Sequence, residues 1–519
     1  MNLTAAPHHH SPPYNTPMLH LLLSLLTPDL ISYTLRFPSP SNHETQIEAR
    51  FPAPENAELF LPIWSPGFYR VEDYAAQIHD LSATDSAGKP LAIDHPKPNR
   101  WTLHNAPGPI TLTYSLHCEN AFVTTNWVGD TFALLNGPAT FITLVRGQHQ
   151  PYEITISLPP TWDRIATGLQ STDTTHFTAP DYEHLLDCPI AAGSFDVRTF
   201  DCEGSTHEIV SLGDLTDFKP QRLAESLPAL AAANHRMWRG LPFNHYVFLL
   251  SVRQGGGGLE HANSTVITTG MRAMKDDAHF TGFLSLISHE YFHAFNVKRI
   301  RPVELGPFDY ETPPRTPSLW ISEGLTNYYG DLNMCRAGLV QENGLLQSLS
   351  SYISQLQNTP GRLIQSLEDS SLNVWTNSRS GTQTDEKTTV SYYVKGAVAG
   401  FLLDARIRHA TDGARSLDDL MRLAMQRYSG DHGFTPDQFI AAASETAGTD
   451  LHQWYQDTIA KPGELDYTEA LDYFGLRFKP DPDGKPTWNL GSREDASAAQ
   501  QSRLNAWAKG SDIPAEPRP

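Results

Sequence analysis

Short runs with apolar residues at every second position recur between about residues 30 and 200, and apolar residues fall at helical spacing from about residue 277 to 460. A period of two buries one face of a strand and a period of 3.6 one face of a helix, so the chain must fold as a β-rich part followed by a mainly helical one. Residues 31–37 and 111–116 alternate strictly, and 141–145 and 152–158 are further short runs broken by Gly, Pro and Asn. Short strands at that spacing predict an all-β, sandwich-like arrangement. The pattern shifts near residue 205. A strand over 207–212, a helix over 219–238 and strands over 246–252 and 265–269 are expected before helices take over. Residues 277–297 carry helical periodicity with Gly282 as the one glycine, and Asp276 or Asp277 is placed to cap the free amides of the first turn.

The formal net charge of −20 repels phosphate backbones and anionic lipid, which argues against nucleic-acid and membrane-surface partners. No apolar run approaches the roughly 18 residues of a membrane span. Residues 18–26 have the length of a signal-peptide core, but no Lys or Arg precedes them and no small-residue cleavage site follows. The compartment stays open between cytoplasm and export. The His8-His9-His10 triplet lies in a Pro- and Ser-rich lead-in and reads as tail. None of Cys118, Cys188, Cys202 and Cys335 forms a C-x-x-C pair, so neither a cysteine metal site nor a thioredoxin-like motif is supported. Cys188 and Cys202 can pair in an oxidising compartment; four free thiols is the simpler reading.

The chemistry concentrates in Ser288-His289-Glu290-Tyr291-Phe292-His293. Positions four apart lie about 40° apart around a helix, so both imidazoles can reach one ion. Glu290 sits about 100° round from His289, offset to address a water beside the metal rather than the metal itself. The alternative is two surface histidines on an amphipathic helix, but Leu284, Ile287, Tyr291 and Phe292 surround the motif. A half-buried histidine pair needs partners, and a cation supplies them. A catalytic zinc takes three protein ligands and keeps a fourth position open. Thirty positions beyond His293, residues 320–329 read as a second helix entered after Pro317, with Glu323 one turn in among Trp, Ile and Leu. Read alone, Glu323 serves equally as a helix-start carboxylate. Beside the first helix, it reads as the third ligand.

Two segments can orient a substrate. Gln254-Gly255-Gly256-Gly257-Gly258-Leu259-Glu260-His261 follows an expected strand, and Gly257 and Gly258 allow a peptide backbone to approach closely. Glu260 can bind a free α-amino group through a charge-assisted hydrogen bond; a flexible loop with a solvated Glu is the bland alternative. Ser391-Tyr392-Tyr393-Val394-Lys395-Gly396 opens another helix, and a phenol there can stabilise an oxyanion, although aromatics at a helix start are usually core.

Together these motifs resemble the glycyl aminopeptidase family of zinc peptidases, gluzincins related to aminopeptidase N. The resemblance runs from about residue 30 to 478. It is carried by Pro62-Ile63-Trp64-Ser65-Pro66-Gly67-Phe68-Tyr69-Arg70, by Gly257 to His261, by His289 to Pro302, by Trp320 to Tyr329 and by Tyr392 to Gly396. It implies that His289, His293 and Glu323 hold one Zn2+ per chain and that Glu290 is the catalytic base. It also implies that Glu260 recognises the substrate amino terminus and that Tyr393 stabilises the transition state, with Tyr392 a rival for that role. The family usually ends in a PDZ domain. Only 43 residues follow Leu476, so that domain is expected to be absent or a remnant.

The expected fold is α+β and multidomain. A lead-in (1–28) precedes a β-rich domain (29–203), a thermolysin-like zinc peptidase catalytic domain (204–345), its helical extension (346–470) and a C-terminal tail or PDZ remnant (471–519), in which 476–478 and 488–490 are expected to form a short hairpin and 500–509 a terminal helix. The expected function is a zinc aminopeptidase acting on peptides with a free N-terminus, with preference for Gly or Ala by resemblance. A zinc endopeptidase and a catalytically silent peptide-binding scaffold are the alternatives. The oligomeric state is open.

Overall fold

The alternation over residues 31–37 becomes a strand, Ile31–Ser39, that buries Ile31, Tyr33, Leu35 and Phe37 and leaves the intervening positions part exposed. It pairs antiparallel with Glu44–Phe51 and parallel with Tyr152–Ser157 at the centre of a seven-stranded sheet. The computed structural model describes residues 30–510 apart from 53–56, 107, 254, 380–381 and 384. Segments 8–10 and 18–26 thus lie outside the described residues. Two four-stranded sheets complete the β-rich part. One core joins Ile31, Leu35, Ile47 and Leu112 of the large sheet to Leu59, Trp101 and Leu103 of a smaller one. The run at 141–145 yields a strand only at Thr143–Leu144, because Gly137-Pro138-Ala139 forms a tight turn just before it. Gly137 packs directly on the Leu186 backbone there, and a Cβ would lie 2.4 Å from its Cα.

A five-stranded sheet follows, in the order Asp196–Cys202, Ser205–Gly213, His245–Val252, Ser264–Thr269, Gly256–Glu260. Its three inner strands run parallel, and the helix Pro220–Trp238 joins the first two. The glycine-rich segment is not a loop: Gly256–Glu260 is an edge strand, antiparallel to Ser264–Thr269. Asp276 caps the helix Asp277–His293 by accepting from the His279 amide. Gly330 lets the helix Leu325–Arg336 lie close against it, and a Cβ at Gly330 would meet the His289 Cα at 3.4 Å. Phe292 stacks on Tyr329 at 4.7 Å. The helices Glu342–Gln357, Tyr392–Ala410, Leu417–Tyr428 and Pro436–Ala447 enclose the remaining core.

The short hairpin and terminal helix expected at the C-terminal end are both present. Leu476–Lys479 pairs with Asn489–Ser492 as a hairpin, and the helix Ala498–Lys509 buries Trp507 fully, its Nε1 donating to Tyr328 Oη at 2.7 Å. Leu490, Leu504 and Trp507 join the helical core. An indole that needs both an apolar wall and an acceptor anchors a polar segment that composition alone marks as loose. All four cysteines are free. Among the described residues, no helix is long and apolar enough to cross a membrane.

A buried ion cluster ties the β-rich part to the metal-motif region. Asp187, just after the short helix Tyr182–Leu186, receives Lys298 Nζ at 2.6 Å, His261 Nδ1 at 3.1 Å and the Ala262 amide at 2.8 Å. Burial alone raises the Asp187 pKa, but Lys298 and His261 outweigh it and hold the carboxyl well below the usual range. Removing one partner of such a pair strands a buried charge. Asp187→Ala is therefore expected to cost about 3–5 kcal/mol, read as an earlier urea unfolding transition.

Candidate active site

The helix Asp277–His293 is buried nearly all round, through Phe280, Phe283, Leu284, Ile287, Tyr291 and Phe292, which removes the exposed-helix reading of its histidines. Polar ties fix its rotation. Ser288 Oγ donates to the Gly330 carbonyl at 2.7 Å, and Tyr291 Oη pairs with His207 Nε2 at 2.8 Å. On the remaining face the Nε2 atoms of His289 and His293 approach to 2.9 Å, and Glu323 Oε2 lies 3.5 and 3.2 Å from them.

Glu323 arrives on a widened turn. Trp320–Gly324 is a single π-helical turn leading into the helix Leu325–Arg336, rather than the regular helix expected from sequence. Such turns are rare and cluster at functional sites. Gly324 and Gly396 let this turn cross the helix Tyr392–Ala410 closely: a Cβ on Gly324 would sit 2.5 Å from the Gly396 Cα. Asn296 clamps the arrangement from the other side, donating through Nδ2 to the Ile321 carbonyl at 2.7 Å and to Thr326 Oγ1 at 3.0 Å. Its own carbonyl lies 2.9 Å from His293 Nδ1. That contact turns Nε2 towards Glu323. Burial opposes a charge on His293, but Glu323 and Glu260 outweigh it and raise its pKa to about 10, so without a metal it faces Glu323 as an imidazolium. Val297, next in the chain, is held at φ +96. A β-branched residue there costs roughly 1–3 kcal/mol and persists because neighbouring contacts over-determine it.

Among the described residues, two sets of three ligand atoms lie within 4.8 Å of one another: His289, His293, Glu323 and Glu260, Glu290, His293. Glu260, Glu290 and Glu323 are 4%, 4% and 1% exposed, so Glu260 is not the solvated loop carboxylate of the bland reading. Burial lifts Glu260 to about 7, with Glu323 adding to the rise. Burial likewise raises Glu290 well above the usual carboxylate range, reinforced by Glu260 and Glu323. Glu323 goes the other way: burial opposes its ionisation, but the two histidines win and lower it to about 2. Glu290 Oε2 is sealed from solvent without a partner. Two imidazole nitrogens, one carboxylate oxygen and an orphaned carboxylate beside them form a donor set that fits a tetrahedral divalent ion with one position open.

The glycines act one by one. A Cβ on Gly258 would fall 2.1 Å from Glu290 Oε1, so Gly258 lies directly under that carboxylate; Gly257, at φ +143, has open space above it. The Tyr393 ring lies 6.1 Å from the His289 ring and stacks on Tyr392 at 4.8 Å. Tyr392 is the more deeply buried of the two, with its hydroxyl sealed. Lys395 of the same motif is buried and donates to the Gly463 carbonyl at 3.3 Å, away from the histidines. Sequence reasoning missed Tyr69 as a site residue. It enters from the β-rich part, buried and facing Glu323 and Glu260. Its one signal was its place in the segment that ends at Arg70. A cavity of about 240 Å³ is lined by Gly67, Tyr69, Glu260, Val297 and Lys298.

A crystal structure of an aminopeptidase N family protein from Idiomarina loihiensis superposes with a TM-score of 0.83 at 26% identity, over 88% of this chain and 81% of that one. An M1 zinc metallopeptidase mutant from Deinococcus radiodurans, bound to a tripeptide substrate, matches with a TM-score of 0.51 at 13% identity, over 85% and 95% of the two chains. A search of curated proteins finds no match. The mixed α+β fold is thus that of the aminopeptidase N family. Residues 32–194 match the Peptidase M61 N-terminal domain and residues 282–399 match M61 glycyl aminopeptidase, together more than half of the chain. The chain belongs to the M61 glycyl aminopeptidase family and is a peptidase.

The seat of Glu290 gives a direct test. Gly258→Ala is expected to displace that carboxylate and lower kcat/KM about 100-fold, the usual cost of a 1 Å misplacement, while bound-metal content is unchanged.

Proposed function

We propose that this peptidase is a zinc aminopeptidase in which His289, His293 and Glu323 hold one Zn2+ and Glu290 is the general base. The observation that carries the reading is the convergence of those three ligand atoms beside the unpartnered Glu290 Oε2. Zinc bound there supplies Lewis acidity, lowering the pKa of a water and polarising a carbonyl. Glu290 takes the proton from the attacking water and delivers it to the leaving amine. Tyr393, beside His289, donates a hydrogen bond to the oxygen that gains charge. Tyr392 backs the Tyr393 ring and holds its direction.

Glu260 favours an aminopeptidase over an endopeptidase. Its carboxylate lies within 4.8 Å of a Glu290 oxygen and a His293 nitrogen, about one residue's reach from the reacting atoms. An ammonium placed there sets the scissile bond after the first residue. Gly257 and Gly258 leave the edge strand open to an extended peptide, which can add along it. The crowding by Gly67, Tyr69 and Val297 suits a small first side chain, Gly or Ala.

The test joins metal analysis to hydrolysis of Gly-, Ala- and Leu-amides with and without chelator. One zinc per chain and chelator-sensitive release of Gly and Ala are expected. Glu290→Ala should keep the metal and lose turnover by about 10³-fold or more. Glu260→Gln should abolish the preference for free-amine over N-acetylated peptides; wild-type cleavage of both at equal rates points to an endopeptidase instead. Glu290 must be ionised to accept a proton, and burial raises its pKa. Activity is therefore expected to fall as pH drops, with an acid limb of kcat/KM above the ordinary Glu value of about 4.3; a limb at that value contradicts the role of burial.

A further inference from the structure

The turn Ser65 to Phe68 is built by its own sequence. Pro66 and Gly67 occupy its corners, Gly67 takes φ +89, and the Phe68 amide closes it on the Ser65 carbonyl at 3.0 Å. It is held from three directions. Ser65 Oγ pairs with Tyr74 Oη at 2.8 Å, Trp64 Nε1 donates to the Asp309 carbonyl at 2.9 Å, and Phe68 shares a core with Leu259, the residue before Glu260. Gly67 therefore lies against the Glu260 side chain so closely that a Cβ would sit 2.4 Å from Oε1. Tyr69 packs its ring edge-on against Trp375 at 6.0 Å within the helical core. Its hydroxyl is sealed from solvent and faces Glu323 first, with Glu260 and Tyr392 nearby. In a phenol 3% exposed whose proton is directed at a carboxylate, the oxygen still has a lone pair to offer.

We propose that this turn is a working wall of the active site, in which Gly67 seats the Glu260 carboxylate and Tyr69 Oη accepts a second hydrogen bond from the substrate's α-ammonium. The inference rests on the aminopeptidase reading of Glu260. An ammonium carries three N–H donors in different directions, and one carboxylate on one side cannot satisfy them all. Tyr69 Oη offers a lone pair from the side of the β-rich part, while its own proton is directed at Glu323. A substrate blocked at its amine keeps a single uncharged N–H, too few donors for both Glu260 and that lone pair, and meets Gly67 where the wall closes. The β-rich part thus takes part in recognising the amino terminus, rather than only scaffolding the metal helix.

Two hydroxamates separate this contact from any effect on the metal. Glycine hydroxamate and acetohydroxamate chelate through the same group and differ by the α-amino group. Binding of each to the zinc-loaded protein is measured by calorimetry, alongside zinc content. Tyr69→Phe is expected to weaken glycine hydroxamate about tenfold, the effect of losing one hydrogen bond to a charged group, and to leave acetohydroxamate within about twofold at unchanged zinc content. Gly67→Ala is expected to show the same selective loss and replaces the first variant should Tyr69→Phe lose zinc or fold poorly. An equal loss for both compounds, or none for either, overturns the proposal while leaving Glu260 in place. Wild-type protein that binds the two compounds equally well overturns the Glu260 reading together with this one.

Discussion

Three carboxylates and two imidazoles share a few ångströms of nearly dry space, and that crowding governs the rest of the structure. Buried charges of one sign are costly unless a cation or a proton answers them. Without a metal, the cluster answers with protons: Glu260 and Glu290 are pushed up and only Glu323, facing both histidines, stays low. A divalent ion at the Nε2 and Oε2 atoms would take over that compensation and leave the proposed base its unused oxygen.

Holding such a cluster requires that nothing around it give way. The metal-motif helix is fixed by the Gly330 carbonyl and by His207, the π turn by Asn296, and the edge strand by Asp187 and Lys298. Glycines do the fine placement. Gly67 and Gly258 each lie under a carboxylate, and Gly324 and Gly396 let two backbones meet. At these four positions a single methyl group would collide with a carboxylate oxygen or with main chain, so the distances in the site are set largely by missing side chains. The segment after His293 is dense with ties for the same reason: Asn296 bonds to the π turn, Lys298 and Arg301 to Asp187 and Glu183 at the short helix Tyr182–Leu186, and Arg299 to the Ala262 carbonyl.

The strands expected over 207–212, 246–252 and 265–269 and the helix over 219–238 lie within two residues of those observed, and Asp276 is the cap. Those elements carry long, clean periodicity. Where the expectation failed, the periodic signal was absent or overridden. The glycine run has a loop as its bland reading, yet three of its four glycines, Gly256 to Gly258, pair in an edge strand because a neighbouring strand satisfies their backbone. The π turn carries no apolar pattern that tells it from a helix. The C-terminal hairpin and helix, by contrast, are as expected; what composition hid is the socket and acceptor that Trp507 finds.

The His-Glu spacing needs nothing beyond helical geometry to put two imidazoles on one face, so the sequence alone determined that a metal-binding helix was possible and which glutamate stood beside it. Spacing along the chain carries no information about which residues 30 or 220 positions away reach the same point, because those approaches depend on how helices and sheets cross. Only the tertiary structure decided that Glu323 rides a widened turn to within 3.2 Å of His293 and that Glu260 is buried. The same holds for Tyr69, which the fold alone carries from the β-rich part to the carboxylates it faces.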